Sequence, residues 1–114
     1  MSPFDVLILG HFIGDYLFQT SWMAMNKAKK WDALLVHSFV YTLCVSIVAW
    51  IGFGGLSIWA ILLIFLSHIF LDRRTFVSWW LKTVMKTDEK SAAWLGIMVD
   101  QIFHLIILAL VLSI

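Results

Sequence analysis

Four long apolar stretches, separated by short polar segments, constrain this chain more than any other feature of its sequence. They cover approximately residues 4–25, 33–51, 56–71 and 92–114. The hydrocarbon core of a bilayer is about 30 Å thick, and a helix needs about 20 apolar residues to cross it. Hydrophobic residues make up 62% of the chain and charged residues 13%, against about 45–50% and about 25% in soluble domains. The sequence therefore predicts an all-α membrane protein, a single bundle of four transmembrane helices.

The positive charges are confined to two of the loops. Lys27, Lys29 and Lys30 lie between the first two stretches, and the other five lysines and arginines lie between the third and the fourth. Cytoplasmic loops of membrane proteins carry the excess of Lys and Arg. We therefore expect a multi-pass protein of the bacterial inner membrane with both basic loops in the cytoplasm and both termini outside, in the periplasm.

The second basic loop contains an amphipathic segment, RTFVSWWLKTVMK, at 74–86. Phe76, Trp79 and Trp80 fall roughly on one side of a helix, and the lysines fall on another. This pattern predicts an interfacial helix between the third and fourth spans, although a continuation of the third span beyond the membrane fits equally well. The tryptophans argue against nucleic acid as a partner, and membrane lipid is the expected one.

Histidine and aspartate recur four residues apart inside the apolar stretches. The first stretch contains HFIGD (11–15), the third contains HIFLD (68–72), and the fourth contains the reversed DQIFH (100–104). The second has His37 and Tyr41 at the same spacing. Residues four apart share one face of a helix. Each span therefore presents one of the four histidines on a polar stripe.

A carboxylate inside a membrane has to be compensated. An ionised aspartate at the centre of a membrane helix costs about 2.5–3.5 kcal/mol, so Asp15 and Asp100 must face a partner, a cation or water. A divalent metal accepts carboxylate oxygen and imidazole nitrogen together, and Zn, Mn and Fe are all compatible with these ligands. The predicted metal ligands are His11, Asp15, His37, His68, Asp72, Asp100 and His104. The predicted catalytic residues are Asp15 and Asp100, and the predicted supporting polar residues are Gln19 and Tyr41.

Each of these residues also has a purely structural interpretation. A single histidine in a membrane helix more often makes a hydrogen bond to a neighbouring helix than binds a metal, and Asp72, followed by two arginines, resembles a charge at the interface. Gly10 and Gly14 form a small-xxx-small pair that indicates close helix packing. A structural explanation must account for four histidines and three aspartates at once, which favours a shared functional cluster in the cytoplasmic half of the bundle.

The whole pattern resembles an uncharacterised family of small bacterial and phage membrane proteins, known only as a domain of unknown function. The segments that carry the resemblance are HFIGDYLFQTSWMAMNK (11–27), HSFVYT (37–42), HIFLD (68–72) and DQIFH (100–104). The family has a similar His-x-x-x-Asp opening followed by Gln, a His-Ser-x-x-Tyr-Thr segment, and later His and Asp. The resemblance covers nearly the whole chain. It implies a compact polytopic inner-membrane protein with a shared site at these positions, and it implies no activity.

Two functions fit such a cluster best. The first is a membrane-embedded metal-dependent hydrolase of a lipid-like substrate, in which the metal generates hydroxide from water and an aspartate acts as general base. The second is a homo-oligomeric proton or cation channel or transporter, although the outer ends of the spans contain few polar residues. A bis-histidine haem protein is disfavoured by the neighbouring carboxylates. A structural or phage-interference protein, in which the cluster only fixes the fold, is a further alternative.

Overall fold

The computed structural model describes residues 1–114 and contains helices but no strands, which confirms the all-helical class. The helices are α1 Pro3–Phe12, α2 Ser21–Asn26, α3 Trp31–Phe53, α4 Ile58–Asp72, α5 Thr75–Thr83 and α6 Ala93–Val111. A π-helical turn, Ile13–Leu17, extends α1. Two of the helices, α3 and α6, are long and apolar enough to cross a membrane, and α4 is apolar but shorter.

The first apolar stretch is not the single helix that the sequence predicts over 4–25. The π-helical turn ends at Leu17, and residues 18–20 are not helical. The chain restarts as α2, where the hydroxyl of the N-cap residue Thr20 accepts a hydrogen bond from the backbone N–H of Met23 at 3.3 Å. A threonine cap satisfies an N–H group that has no partner within the helix. Hydropathy does not reveal this break, because the residues around it are mostly apolar.

The sequence GFGG at 52–55, with three glycines, predicts a tight turn, and the chain reverses there. Gly54 and Gly55 have φ angles of 96° and 117°, which residues with side chains rarely adopt. The chain then enters α4 through Ser57, whose hydroxyl accepts a hydrogen bond from the backbone N–H of Ala60 at 3.1 Å. As a result, α3 and α4 pack as antiparallel neighbours.

Glycines on the first helical segment determine how closely it approaches α3. A Cβ atom on Gly10 would lie 3.1 Å from the Cα of Val45, and one on Gly14 would lie 3.1 Å from the Cα of Tyr41. The predicted close packing is therefore confirmed, because larger residues would separate the two backbones. Gly14 precedes Asp15, so the same contact brings that carboxylate against α3.

The interior of the bundle is apolar toward one end of the helices and polar toward the other. The apolar core, in the half nearer the glycine-rich turn and the C-terminus, consists of Leu7, Tyr41, Val45, Ala49, Ala60, Ile64, Leu108 and Val111. The buried histidines and aspartates lie toward the two basic loops. There, α5 forms within the predicted segment and packs on α6 through Val77, Leu81 and Val99. This packing closes one side of the polar end.

Candidate metal centre

All four histidines and three aspartates converge in one buried cluster. Its members are His11, Asp15, His37, His68, Asp72, Asp100 and His104. They come from α1 and its π-helical turn, from α3, from the end of α4, and from α6. Asp15 and Asp100, which the sequence predicts to face a partner, a cation or water, are both buried.

Four of these side chains have the spacing of ligands around one metal ion. Each of Asp15, His37, His68 and Asp72 offers one nitrogen or oxygen atom, and these four atoms all lie within 4.8 Å of one another. His37 Nε2 is 3.1 Å from both Asp15 Oδ1 and Asp72 Oδ2. His68 Nε2 is 3.2 Å from Asp15 Oδ1 and 3.5 Å from Asp72 Oδ2. Two tetrahedral ligands of zinc, bound at about 2.0–2.2 Å, are about 3.3–3.6 Å apart. The four histidine–aspartate distances in this set, here called the first ligand group, lie close to that range.

Asp72 also belongs to a second ligand group, with Asp100 and His104. His104 Nε2 lies 3.4 Å from Asp72 Oδ1, and His104 Nδ1 lies 3.7 Å from Asp100 Oδ1. The interpretation of Asp72 as a charge at the interface is therefore wrong, because its side chain is fully buried between three histidines.

Hydrogen bonds orient two of the histidines. His104 Nδ1 donates to the backbone carbonyl of Asp100 at 2.7 Å, and His68 Nδ1 lies 3.1 Å from the hydroxyl of Ser38. Histidines that bind metals usually give the hydrogen of one ring nitrogen to such a group and present the other nitrogen to the ion. The Nε2 atoms of both rings face the carboxylates in this way.

His11 lies in the cluster but outside both ligand groups. Its Nε2–H donates to Gln101 Oε1 at 2.7 Å, and its Nδ1 accepts from the Tyr41 hydroxyl at 2.7 Å. Because both ring nitrogens are occupied, the geometry fits a supporting role better than the predicted metal ligation. The Tyr41 ring also stacks on His68, with ring centroids 4.0 Å apart, which fits the supporting role predicted for Tyr41.

Several atoms of the cluster have no hydrogen-bonding partner although they are buried. They are Asp72 Oδ1, Asp100 Oδ1, His104 Nε2 and His37 Nδ1, whereas Asp72 Oδ2 has the ammonium of Lys27 at 3.2 Å. Leaving a buried polar atom unpaired costs about 1–3 kcal/mol, and neighbouring carboxylates repel each other. A divalent cation would compensate the carboxylate oxygens and His104 Nε2, although not His37 Nδ1, whose ring faces the carboxylates through Nε2. Carboxylate oxygen with imidazole nitrogen is a donor set that suits Zn, Mn or Fe.

A cleft of about 170 Å³ opens beside the cluster. It is lined by Asp15, Tyr16, Gln19, Lys27, Arg74, Ile97, Asp100 and Gln101. Lys27 Nζ lies 3.2 Å from Asp72 Oδ2, and Arg74 Nη2 lies 2.9 Å from Glu89 Oε2. Gln19 therefore lines the approach to the site and is not part of either ligand group. The cleft gives access to both predicted catalytic aspartates.

Four residues contribute to the site that the sequence does not single out for it: Lys27, Ser38, Arg74 and Gln101. Gln101 Nε2 donates to Asp15 Oδ2 at 3.4 Å and to Asp100 Oδ2 at 3.3 Å, so it links the two predicted catalytic carboxylates. The sequence could have indicated this role, because Gln101 lies within DQIFH three residues before His104, and that spacing keeps it near the polar face of the helix.

Backbone features allow Arg74 to reach the cleft. Arg74 has a φ angle of 72° and forms the N-cap of α5, directly after α4. Positive φ angles in residues other than glycine are strained and often occur at functional sites. Gly96 leaves space for the guanidinium, since a Cβ atom there would lie 2.9 Å from Arg74 Nη2.

Comparison with known proteins identifies the family. No curated protein and no solved structure shows significant similarity to the chain. A family model described as "Protein of unknown function (DUF3307)" matches residues 4–114, a range that includes the whole cluster and the cleft. The resemblance to an uncharacterised domain family is thus confirmed. The chain belongs to the DUF3307 family.

Proposed function

We propose that this protein is a metal-dependent hydrolase embedded in the bacterial inner membrane, and that it acts on a lipid-like ester. The observation that carries the proposal is the first ligand group. Its two histidine nitrogens and two aspartate oxygens lie 3.1–3.5 Å apart across four pairs of atoms, as ligands of one transition metal would. Direct ion pairing of two histidines with two aspartates is the simpler alternative, and Lys27 Nζ at 3.2 Å from Asp72 Oδ2 adds to it. It still leaves Asp72 Oδ1 and Asp100 Oδ1 without a hydrogen-bonding donor.

The surface of the helices supports a membrane location. Large apolar side chains are exposed along α3, α4 and α6, for example Phe39 at 61%, Leu66 at 60% and Ile97 at 54%. Soluble monomers rarely expose large contiguous apolar patches. We propose that α3, α4, α6 and the first helical segment cross the bilayer, with both basic loops in the cytoplasm and both termini in the periplasm.

Two of the proposed spans are short, and this bears on where the site would lie. α4 has 15 residues, as does α1 together with its π-helical turn. At 1.5 Å per residue each is about 22 Å long, less than the hydrocarbon thickness of about 30 Å. Both end in the cluster, near Asp15 and Asp72. In a membrane, the cluster would therefore lie below the cytoplasmic surface, and the cleft would connect it to that surface.

The proposed chemistry is ester hydrolysis. A divalent metal held in this cluster, with one position left for water, would make that water molecule acidic enough to act as hydroxide near neutral pH. Asp100 lines the cleft and has an oxygen with no hydrogen-bonding partner, so it is suited to accept a proton from that water. The water oxygen would bond to the acyl carbon or phosphorus while the ester bond to the alcohol breaks. The proton held by Asp100 would then pass to the leaving alkoxide.

The residues that line the cleft favour a substrate with an anionic head and an apolar tail. Lys27 and Arg74 contribute positive charge, and Arg74 Nε is buried without a hydrogen-bonding partner. Such a donor suits a phosphate oxygen. Tyr16 and Ile97, at the same cleft, are 53% and 54% exposed, so an acyl chain could continue along them into lipid. We therefore favour a phosphorylated lipid-like ester.

The apolar core argues against conduction through the chain. Eight buried, mostly aliphatic residues fill the half of the bundle that a proton or cation would have to cross after leaving the cluster. Intramembrane pathways for ions are lined by polar groups or water. A catalytic site needs access from one side only, which the cleft would provide.

The test is hydrolysis by the purified protein in mixed micelles. Fluorogenic phosphate esters and carboxylic esters, each with an acyl chain, serve as substrates. We expect activity that is lost on complete metal removal, restored by Zn²⁺ or Mn²⁺, and lost in Asp15→Asn. Ser46→Ala is the matched control, because it changes a polar residue of α3 that lies outside the cluster. Activity that survives metal removal, or no hydrolysis of any ester by folded, metal-loaded protein, would contradict the proposal.

A further inference from the structure

We infer that the site holds a second divalent cation, bound by Asp72, Asp100 and His104, and that the carboxylate of Asp72 bridges the two ions. This inference rests on the proposed metal-dependent function and extends it to a dinuclear centre. One ligand atom from each of the three residues lies within 4.8 Å of those of the other two, and all three residues are buried.

The hydrogen bonding of His104 indicates a cation between it and Asp72. Its Nδ1 donates to the backbone carbonyl of Asp100 at 2.7 Å, and a carbonyl oxygen can only accept. The hydrogen of a neutral ring is therefore on Nδ1, and Nε2 carries a lone pair. That lone pair faces Asp72 Oδ1 at 3.4 Å, and neither atom has a hydrogen-bonding donor. Two acceptors that face each other in a buried site are stable when a cation lies between them.

The two oxygens of Asp72 face different ligand groups. Oδ2 lies 3.1 Å from His37 Nε2 and 3.5 Å from His68 Nε2, whereas Oδ1 lies 3.4 Å from His104 Nε2. A carboxylate with one oxygen toward each of two ions is the common bridge of dinuclear hydrolytic centres, whose ions are about 3.5–4 Å apart. Asp72 is fully buried, so its orientation is fixed by the packing around it.

The numbers of ligands in the two groups suggest different roles for the ions. The first ligand group supplies four protein atoms, as many as a structural zinc site has. The second supplies three, and catalytic zinc sites characteristically have three protein ligands with one position left for water or substrate. Asp100 lines the cleft, so the open position would be the one that substrate reaches. In a dinuclear centre Asp100 would therefore be a ligand of the second ion, in place of the general base proposed above for a site with one ion.

Metal titration of stripped protein tests the inference. Detergent-purified protein is freed of metal with a chelator, loaded with Mn²⁺ or Zn²⁺, desalted and analysed by mass spectrometry of the elements. We expect about two ions per chain, and exchange coupling between paired Mn²⁺ ions in the electron paramagnetic resonance spectrum. His104→Ala should keep about one ion and lose the coupling, since all four ligands of the first group lie outside α6.

The possible results separate this inference from the function on which it rests. One uncoupled ion per chain in the unmodified protein would overturn the dinuclear centre and leave the metal-dependent function intact. That result would mean that His104 carries two protons and pairs directly with Asp72. No bound ion in folded protein would overturn both proposals. Because the unmodified protein gives the decisive count, a folding defect in His104→Ala does not affect the conclusion.

Discussion

Replacing Gly14 with alanine should weaken metal binding although the residue touches no metal. A Cβ atom at this position would lie 3.1 Å from both the Cα and the Cδ2 of Tyr41, whereas ordinary contacts begin at 3.4 Å. The first helical segment must therefore move away from α3 by a few tenths of an ångström. Asp15 follows Gly14 directly and would move with it, away from His37 on α3.

The size of that movement determines the expected effect. Metal sites hold their ligand distances to within about 0.2 Å, so a shift of this size exceeds the tolerance. We expect the dissociation constant for Zn²⁺ or Mn²⁺ to rise at least about tenfold, which corresponds to about 1.4 kcal/mol. Overpacking should also lower the free energy of unfolding by about 1–3 kcal/mol.

Gly52→Ala is the matched control for this prediction. A Cβ atom on Gly52 would lie 2.6 Å from Val6 Cγ1, so this change also overpacks the contact between α1 and α3, but at the end remote from the cluster. We expect a similar loss of thermal stability and an unchanged dissociation constant, measured by competition with a chromophoric chelator. Equal metal affinities of Gly14→Ala and the unmodified protein would refute the claim that close packing of the two helices sets the ligand geometry.

Further predictions concern the support of the cluster, its charge balance and the topology. Tyr41→Phe removes the hydroxyl 2.7 Å from His11 Nδ1 and should lower the free energy of unfolding by about 1–3 kcal/mol. Thermal unfolding in detergent measures this loss, and an unchanged midpoint would contradict the prediction. Lys27→Met removes the ammonium 3.2 Å from Asp72 Oδ2. It should therefore destabilise the metal-free protein more than the metal-loaded one, and equal losses would count against a bound cation. With Cys44 replaced by alanine, a membrane-impermeant maleimide should label Ser113→Cys from the periplasm and Lys90→Cys only after permeabilisation; the reverse pattern would invert the proposed topology.

The spacing of the polar residues was enough to predict the cluster. His and Asp four residues apart share a helix face, and within predicted membrane spans the cost of exposing a carboxylate to lipid predicts that this face points inward. Asp15, Asp72 and Asp100 are accordingly all buried. The α-helical class and the turn at Gly54 and Gly55 could also be predicted, because each depends on only a few neighbouring residues. The spacing of apolar residues indicates helices, and glycines indicate a tight turn.

The relative rotation of the helices could not be predicted in the same way. His11 and Asp15 lie on one stripe of the sequence, yet only Asp15 belongs to a ligand group, because Tyr41 and Gln101 occupy both ring nitrogens of His11. Those partners come from other helices, and periodicity within one helix does not locate them. The break at residues 18–20 was also missed, because its neighbours are apolar and the cap at Thr20 is a weak signal.

The most direct test of a buried His/Asp metal centre is the X-ray absorption spectrum of metal retained by protein purified without chelators. We expect transition metal in at least about stoichiometric amount, with nitrogen and oxygen neighbours at about 2.0–2.2 Å and outer-shell scattering from imidazole rings. The imidazole signal should fall when His37 and His68 are replaced together. Folded protein that contains no metal and binds neither Zn, Mn nor Fe would contradict the proposed centre.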